Sequence, residues 1–218
     1  MTLATLRTTV NGSTVYAIFV DYFCTHRLAA SRVLGWTGVP ILLVSATAWE
    51  HPWVELATFF VGIMLVGVAT IGRLWCSIYI SGYKNSALVT IGPYSLTRNP
   101  LYFFSVLGFV GLALTTETVL FPVLVAGLLA VLTPPVIAQE ERFLAEAFGT
   151  EYANYCARTP RFWPRLSGYR EPETWVISPP ITRRRMLDSL WFVWGVGLIG
   201  VIKGLHELGM LPTLLLLY

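Results

Sequence analysis

Charged side chains are scarce in this chain. They make up 12% of its 218 residues, whereas hydrophobic residues make up 55%. A soluble domain carries about twice that fraction of charge, roughly 25%, so the scarcity excludes an ordinary soluble protein and predicts an integral membrane protein. The net charge of +3 says little by itself, because in such a protein the position of each basic residue matters more than the total.

Cysteine and histidine are also few and scattered. Cys24, Cys76 and Cys156 have no spacing typical of a disulfide framework or a redox pair, and the histidines lie too far apart in sequence to suggest a metal site. No metal centre is predicted. The N-terminus lacks the basic region, apolar core and small-residue cleavage site of a signal peptide, so none is expected. The sequence contains no internal repeat.

Long apolar runs dominate what remains. A hydrocarbon core requires about 17–25 apolar residues per helix, and candidate runs lie near residues 12–30, 33–50, 54–80, 101–116, 118–138 and 186–206. The first run is the weakest because it contains Asp21. Only the polar turn Thr115–Thr118 separates the fourth run from the fifth, which predicts a tight antiparallel hairpin. The predicted fold is an all-α polytopic transmembrane bundle of about six spans.

Basic residues alternate between the predicted loops. They follow the first and third runs, and eight arginines lie within residues 139–185, whereas the loop 49–53 and the hairpin turn have none. Basic loops tend to remain in the cytoplasm, so the basic loops, including those near Lys84–Arg98 and 139–185, are predicted to be cytoplasmic and both termini to lie on the other side. Arg7 and Lys203 depart from this pattern.

The segment Gly92–Tyr102 is the most informative polar stretch. Asn99 is a preferred N-cap residue and Pro100 suits the first position of a helix, so the fourth span is predicted to begin here with its positive dipole end exposed. Arg98 stands just outside that end. Together they predict an anion site for a carboxylate or phosphate. A plain helix cap beside an interfacial arginine is the alternative.

A carboxylate pair, Glu140-Glu141, lies at the other end of the predicted hairpin. The hairpin begins at Leu101 and ends near Ala138, so its two ends must be neighbours. The pair is therefore predicted to lie beside Gly92–Tyr102 on the cytoplasmic side, where it suits a ligand with an ammonium group or ribose hydroxyls. A solvated helix face is the alternative. The pair is expected to open a separate amphipathic helix that stops or kinks at Gly149.

Basic and aromatic residues follow in the segment Arg158–Pro164. An anchor at the membrane interface explains this composition. The alternative is that Arg161 closes the site formed by the two polar segments, or binds an anionic head group.

Taken together, these segments resemble the superfamily of isoprenylcysteine carboxyl methyltransferases and phospholipid methyltransferases. The resemblance covers roughly residues 54–165 and joins two motifs in the right order, with a helical hairpin between them. The residues that carry it are Leu88–Tyr94, Arg98–Tyr102, Glu140–Leu144, Phe148, Gly149, Tyr152, Tyr155 and Arg161–Pro164. The chain departs from the family at Asn99, where many members have histidine, so no role of that histidine carries over.

The resemblance implies a methyltransferase that uses S-adenosylmethionine on the cytoplasmic side and acts on a lipophilic small molecule or lipid arriving through the bilayer. Its implied cofactor residues are Leu88, Val89, Gly92, Pro93, Tyr94, Arg98, Asn99, Pro100, Tyr102, Glu140 and Glu141. Arg161 is the candidate catalytic residue.

The chemistry of S-adenosylmethionine agrees with this implication. Arg98 and a helix N-terminus suit its carboxylate, and the glutamate pair suits its ammonium or ribose. Tyr94 and Tyr102 can pack on adenine or near the sulfonium. The chain then divides into N-terminal transmembrane helices (1–53), the methyltransferase core (54–165), and a basic cytoplasmic segment with a final transmembrane helix (166–218).

Two other functions stay open on sequence alone. A membrane reductase of the sterol-reductase type would use NADPH, and a non-enzymatic scaffold or small transporter would use the same motifs only as caps and topology signals. Membrane lipids are expected partners and nucleic acid is not. The methylated atom, any general base and the oligomeric state are open.

Overall fold

The computed structural model describes residues 42–47, 51–83 and 87–217. The predicted span 12–30 lies outside these residues, as does Lys84, and of the predicted span 33–50 only residues 42–47 are described. Those residues include a short strand, β1 (Ser45–Thr47), which pairs in parallel with β2 (Leu215–Leu217) near the C-terminus.

Helices make up most of the described chain. They are α1 (Pro52–Ile80), α2 (Pro93–Leu96), α3 (Pro100–Leu114), α4 (Leu120–Arg158), α5 (Pro179–Ser189) and α6 (Trp191–Glu207), with a short 3₁₀ helix at Leu166–Gly168. The described residues are therefore mostly helical, as predicted, apart from the two short strands.

Three stretches of the described chain are long and apolar enough to cross a membrane. They are α1, α4 and the nearly continuous stretch Pro179–Glu207 formed by α5 and α6. The predicted span 101–116 forms α3, which is apolar but has only 15 residues, a length of about 22 Å at 1.5 Å per residue. Six spans were predicted, and the described residues support three by length and composition.

Glycines allow α1 and α3 to approach closely. A Cβ placed at Gly111 of α3 would lie 2.9 Å from the carbonyl oxygen of Gly62 of α1, and one at Gly72 would lie 2.3 Å from the Phe104 ring. Small residues at helix contacts are typical of membrane proteins, where association depends on close packing. This contact holds α3 against α1, and the beginning of α3 carries the candidate site.

The predicted hairpin is present, but its second arm is longer than expected. α4 runs without interruption through Glu140-Glu141, so the prediction that the pair opens a separate helix is wrong. Helical hydrogen bonding does not depend on side-chain polarity, and a change of composition is therefore no helix boundary. The kink predicted at Gly149 is confirmed, because that residue has φ 48° and ψ −119° inside the helix.

The chain after α4 returns across the segment that precedes α3. The Arg98 N–H donates to the Pro160 carbonyl (2.9 Å), the Arg165 N–H to the Leu96 carbonyl (3.0 Å), and the Gly92 N–H to the Arg170 carbonyl (2.7 Å). These backbone hydrogen bonds hold residues 160–170 against residues 92–98, and so place Arg161 beside the start of α3.

Candidate cofactor site

Glu141 is the centre of a charged cluster that joins three segments of the chain. Its Oε1 lies 3.4 Å from Arg98 Nη1, and its Oε2 accepts a hydrogen bond of 2.9 Å from Arg161 Nε. The Glu141 and Arg98 side chains are largely buried, with 16% and 18% of their surface exposed, whereas Arg161 is 49% exposed. The two ends of the hairpin therefore meet as predicted, and Arg161 is the most accessible member of the cluster.

Asn99 occupies the N-cap position of α3 with Pro100 after it, as predicted, but its side chain does not cap the helix. The Asn99 amide nitrogen instead donates to Glu141 Oε1 (3.2 Å) and to the Arg161 carbonyl (2.9 Å). The capping interaction expected of Asn99 is thus wrong. Because no side chain caps α3, its first N–H groups keep their capacity to bind an anion.

Glu140 forms a second link between the hairpin ends. Its Oε2 accepts a hydrogen bond of 2.9 Å from the hydroxyl of Tyr102, which lies in the first turn of α3. Glu140 thus contacts the first turn of α3, while Glu141 contacts the residues just before it. Both sequence-predicted glutamates lie within the cluster.

Arg98 is held in its charged form and retains an unused donor. Burial is the largest single influence and by itself would lower the pKa of its guanidinium, but Glu141, Cys156 and Tyr152 together outweigh burial and raise that pKa. Arg98 Nη1 also donates to Cys156 Sγ at 2.8 Å, while its Nε is buried without a hydrogen-bond partner among the described residues. Cys156 was missed by sequence reasoning, because a lone cysteine on a polar helix face carries no spacing signal.

The segment Leu88–Tyr94 lies beside the cluster rather than in it. Val89, Pro93 and Tyr94 are buried, and Val89 and Tyr94 form a hydrophobic core with Cys76 and Tyr79 of α1. Leu88 is half-buried. These residues pack the segment that precedes α3 against α1.

Tyr94 ties this core to the kinked end of α4. Its carbonyl accepts a hydrogen bond of 2.6 Å from the Tyr155 hydroxyl. Its own hydroxyl is buried with no partner among the described residues, and burial raises the pKa of that hydroxyl well above the usual value for tyrosine. In this structure the Tyr94 ring is part of the core, with 8% of its surface exposed.

Gly92 is required by the backbone. Its φ is 59°, and an added Cβ would lie 2.4 Å from the Tyr79 ring. Only glycine adopts this conformation readily and also leaves room for the ring. Gly92 therefore sets the turn that directs the chain into α2 and on to Arg98.

Metal-ligand side chains do not converge in the part of the chain that the structure describes. No group of three or more His, Cys, Asp and Glu residues is arranged there to hold a metal ion. The charged side chains of the candidate site are instead paired arginines and glutamates.

The family model for phospholipid methyltransferases matches residues 53–151. The chain belongs to the phospholipid methyltransferase family. The matched range contains α1, the whole hairpin and both glutamates, and ends before Arg161. The family predicted from the sequence is thus confirmed. Arg98 and Glu141 both lie within the residues that match the family model.

Two relatives extend the similarity over almost the whole chain. The cobalt-zinc-cadmium resistance protein CzcN of Cupriavidus metallidurans is 42% identical over 202 residues, which are 91% of this chain and 92% of the relative. The nickel-cobalt-cadmium resistance protein NccN of Alcaligenes xylosoxydans xylosoxydans is 37% identical over 199 residues, covering 91% and 93%. No solved structure matches this family member.

Proposed function

We propose that the protein is a membrane methyltransferase that uses S-adenosylmethionine, with the cofactor bound at the Arg98–Glu141 cluster. One observation carries this proposal. Arg98 and Glu141 come from opposite ends of a hairpin within the family-matched region, and they meet in a largely buried ion pair. Buried ionisable groups in a membrane protein are costly and usually mark a binding site.

The cluster offers complementary groups for each polar part of the cofactor. The unpartnered Nε of Arg98 and the uncapped start of α3 suit its carboxylate. Glu141 and Glu140 suit its ammonium group and ribose hydroxyls. The charge balance is retained if the cofactor ammonium replaces Arg161 on Glu141, since Arg161 is the half-exposed partner of that carboxylate.

The bound cofactor would supply an electrophilic methyl group, and the chain would supply alignment and exclusion of water. An in-line transfer would break the bond from sulfur to methyl as an acceptor lone pair forms its bond to the methyl carbon; this would leave a neutral thioether, and any proton displaced from the acceptor would pass to water. Such in-line transfer depends mainly on holding the two reactants in register and on stripping water from the nucleophile. Asn99 and Cys156, which hydrogen-bond to Glu141 and Arg98, would help to hold the cofactor in register.

The acceptor is proposed to be lipophilic and to enter from the bilayer. α1 and α4 expose many large apolar side chains, among them Phe60, Met64, Val123 and Leu124, and these suit contact with acyl chains. The Arg98–Glu141 cluster lies at the end of the hairpin that α4 forms with α3. A lipophilic acceptor with a polar head would thus meet lipid-facing helices and the methyl donor at once.

The names of the relatives suggest a physiological setting. CzcN and NccN are named as resistance proteins for cobalt, cadmium, zinc and nickel. We include in the proposal that methylation of a membrane component by this chain contributes to tolerance of such ions.

The decisive experiment has a binding part and a product part. Purified protein in lipid nanodiscs is titrated with S-adenosylhomocysteine and, separately, with NADPH. Membrane lipid extract is then incubated with protein and methyl-labelled S-adenosylmethionine, and the lipids are analysed by mass spectrometry. We expect saturable binding of S-adenosylhomocysteine and a labelled lipophilic product. Binding of NADPH alone would favour a reductase, and binding of neither ligand would favour a non-enzymatic role.

A further inference from the structure

A cavity of about 270 Å³ lies at the turn end of the hairpin, away from the Arg98–Glu141 cluster. We call it the hairpin pocket. It is bounded by β1, the first turn of α1, the hairpin turn and the end of α6; its polar lining includes Glu55, Glu117, Lys203, His206 and Glu207. Since α3 has 15 residues, about 22 Å of helix separates this pocket from the candidate cofactor site.

Glu117 is a buried carboxylate with one unused oxygen. The residue is 5% exposed, and its Oε1 forms an ion pair with Lys203. Its Oε2 is buried and has no hydrogen-bond partner among the described residues. A buried carboxylate oxygen without a donor is unfavourable, so this atom is a strong acceptor at the wall of a cavity.

The backbone holds Glu117 in place. Glu117 has φ 60°, the only positive φ found for a non-glycine residue in the described chain, and its carbonyl accepts a hydrogen bond of 3.3 Å from Thr47 Oγ1. Non-glycine residues adopt this conformation only when their surroundings impose it. The hairpin turn therefore presents the Glu117 carboxylate to the pocket in a fixed position.

His206 supplies a second electron-pair donor. Its Nδ1 lies 3.4 Å from Thr213 Oγ1, and its Nε2 is buried with no partner among the described residues. When Nδ1–H donates to the threonine hydroxyl, the lone pair of Nε2 is left free to bind a ligand. Glu117 and His206 thus each have one buried side-chain atom without a partner among the described residues, and both residues line the same cavity.

From this arrangement we infer that the hairpin pocket binds a small cation through Glu117 and His206. Glu55, Glu117 and Glu207 outnumber Lys203 among the described lining residues, so the described part of the lining carries a net negative charge. Divalent transition metal ions and small ammonium ions share the required chemistry, since both bind carboxylate oxygen and imidazole nitrogen. A metal ion would complete its shell with water or with Glu55 or Glu207, because three such ligands are not yet assembled in the described residues.

Lys203 acts as a tethered competitor for the same site. Its ammonium already occupies Glu117 Oε1, which shows that this carboxylate accepts a cation. Lys203 Nζ also lies 5.5 Å from the centroid of the Phe59 ring, a distance suited to a cation–π contact. When a free cation binds Glu117, the lysine can therefore remain over Phe59.

Full-length protein in nanodiscs is titrated by calorimetry with zinc chloride, cobalt chloride and ethylammonium chloride at constant ionic strength. We expect one of these cations to bind, about tenfold more weakly in Glu117→Gln because a charged contact is lost. The matched control Glu151→Gln, at an exposed residue, should bind as wild type. Lys203→Met should bind several-fold more tightly because the competitor is gone.

Zinc or cobalt binding would identify the metal as the ligand class, and ethylammonium binding alone would identify an amine. Thermal unfolding gives a second readout: Lys203→Met should be less stable than wild type and regain its midpoint when the cation is added. If Glu117→Gln does not fold, His206→Gln replaces it. Absence of cation binding in both wild type and Lys203→Met, or equal affinity in wild type and Glu117→Gln, overturns the inference. S-adenosylhomocysteine affinity should be unchanged in Glu117→Gln, which separates this site from the cofactor proposal.

Discussion

Asn99 and Glu141 are joined by a hydrogen bond of 3.2 Å from the amide of one to the carboxylate of the other. Asn99 is almost fully buried, with 6% of its surface exposed, and it also donates to the carbonyl of Arg161. One neutral side chain thus fixes both the carboxylate and the returning chain that carries its second cation.

Replacement of Asn99 should show how much this link stabilises. Asn99→Ala removes two buried hydrogen bonds, so we expect a loss of roughly 1–3 kcal/mol, visible as a lower unfolding midpoint. Asn99→Asp should lower the unfolding midpoint further than Asn99→Ala, because it places a second carboxylate beside Glu141. Asn154→Ala, at an exposed position of the same helix as Glu141, is the control and should unfold as wild type. Equal midpoints for all variants would contradict a role of Asn99 in the cluster.

The ion pair can be tested directly in cofactor binding. Arg98→Ala and Glu141→Ala should each weaken S-adenosylhomocysteine binding by roughly 1–3 kcal/mol, the cost of a lost charged hydrogen bond. Arg142→Ala and Glu146→Ala change the same residue types at exposed positions of α4 and should leave affinity unchanged. Wild-type affinity in both cluster variants, in folded protein, rules out this cofactor site.

Arg161 should respond differently from Arg98. If the cofactor ammonium replaces Arg161 on Glu141, then Arg161→Ala removes a competitor and should leave affinity for S-adenosylhomocysteine equal or greater. Turnover should fall more for anionic acceptors than for neutral ones, because the half-exposed guanidinium is suited to an anionic head group. Parallel calorimetry and acceptor assays measure the two effects. A loss of cofactor affinity as large as that of Arg98→Ala would show that Arg161 holds the cofactor instead.

The turn at Gly92 should tolerate no side chain. Gly92→Ala forces a Cβ to within 2.4 Å of the Tyr79 ring and a non-glycine residue to φ 59°, so we expect destabilisation of about 1–3 kcal/mol. Gly127→Ala meets nothing within 4 Å and lies inside α4, where alanine is favoured over glycine. The thermal unfolding midpoint should therefore fall for Gly92→Ala, and it should rise or stay unchanged for Gly127→Ala.

Orientation in the membrane is open to cysteine labelling. Val119 and Ser167 are both exposed, one beside the hairpin turn and the other after α4. Single cysteines at these positions, in a background without Cys24, Cys76 and Cys156, should react with an impermeant reagent from opposite faces of sealed vesicles. The basic segment containing Ser167 should be the cytoplasmic one. Reaction of both from one face would overturn the proposed orientation.

The contact between Arg98 and Glu141 could be predicted from the sequence because topology constrains it. A hairpin with a short turn brings its two ends to the same side, and Arg98 and Glu141 lie near those ends. Side-chain partners were harder to predict. Asn99 matched the capping preference of its type, yet its side chain caps no helix N–H and its amide nitrogen donates to a carboxylate distant in sequence, an orientation that no local pattern encodes.

The partner of Lys203 also could not be predicted from the sequence. In the sequence Lys203 was a basic residue at odds with the alternation of charged loops. In the structure it pairs with the buried Glu117, which is 86 positions away. A partner so distant leaves no trace in local composition, so the hairpin pocket could not be predicted from the sequence.

The part of α4 that precedes the glutamate pair matches the thickness of a bilayer core. From Leu120 to Glu141 the helix is continuous and rises about 31 Å at 1.5 Å per residue, close to the roughly 30 Å thickness of a hydrocarbon core. The hairpin turn and the glutamate pair are therefore spaced like the two faces of a membrane. If α4 crosses the bilayer along this part, residue count along the helix sets the depth of the Glu141 carboxylate, and acyl-chain length in the surrounding lipid should then change how readily water and the proposed cofactor reach it.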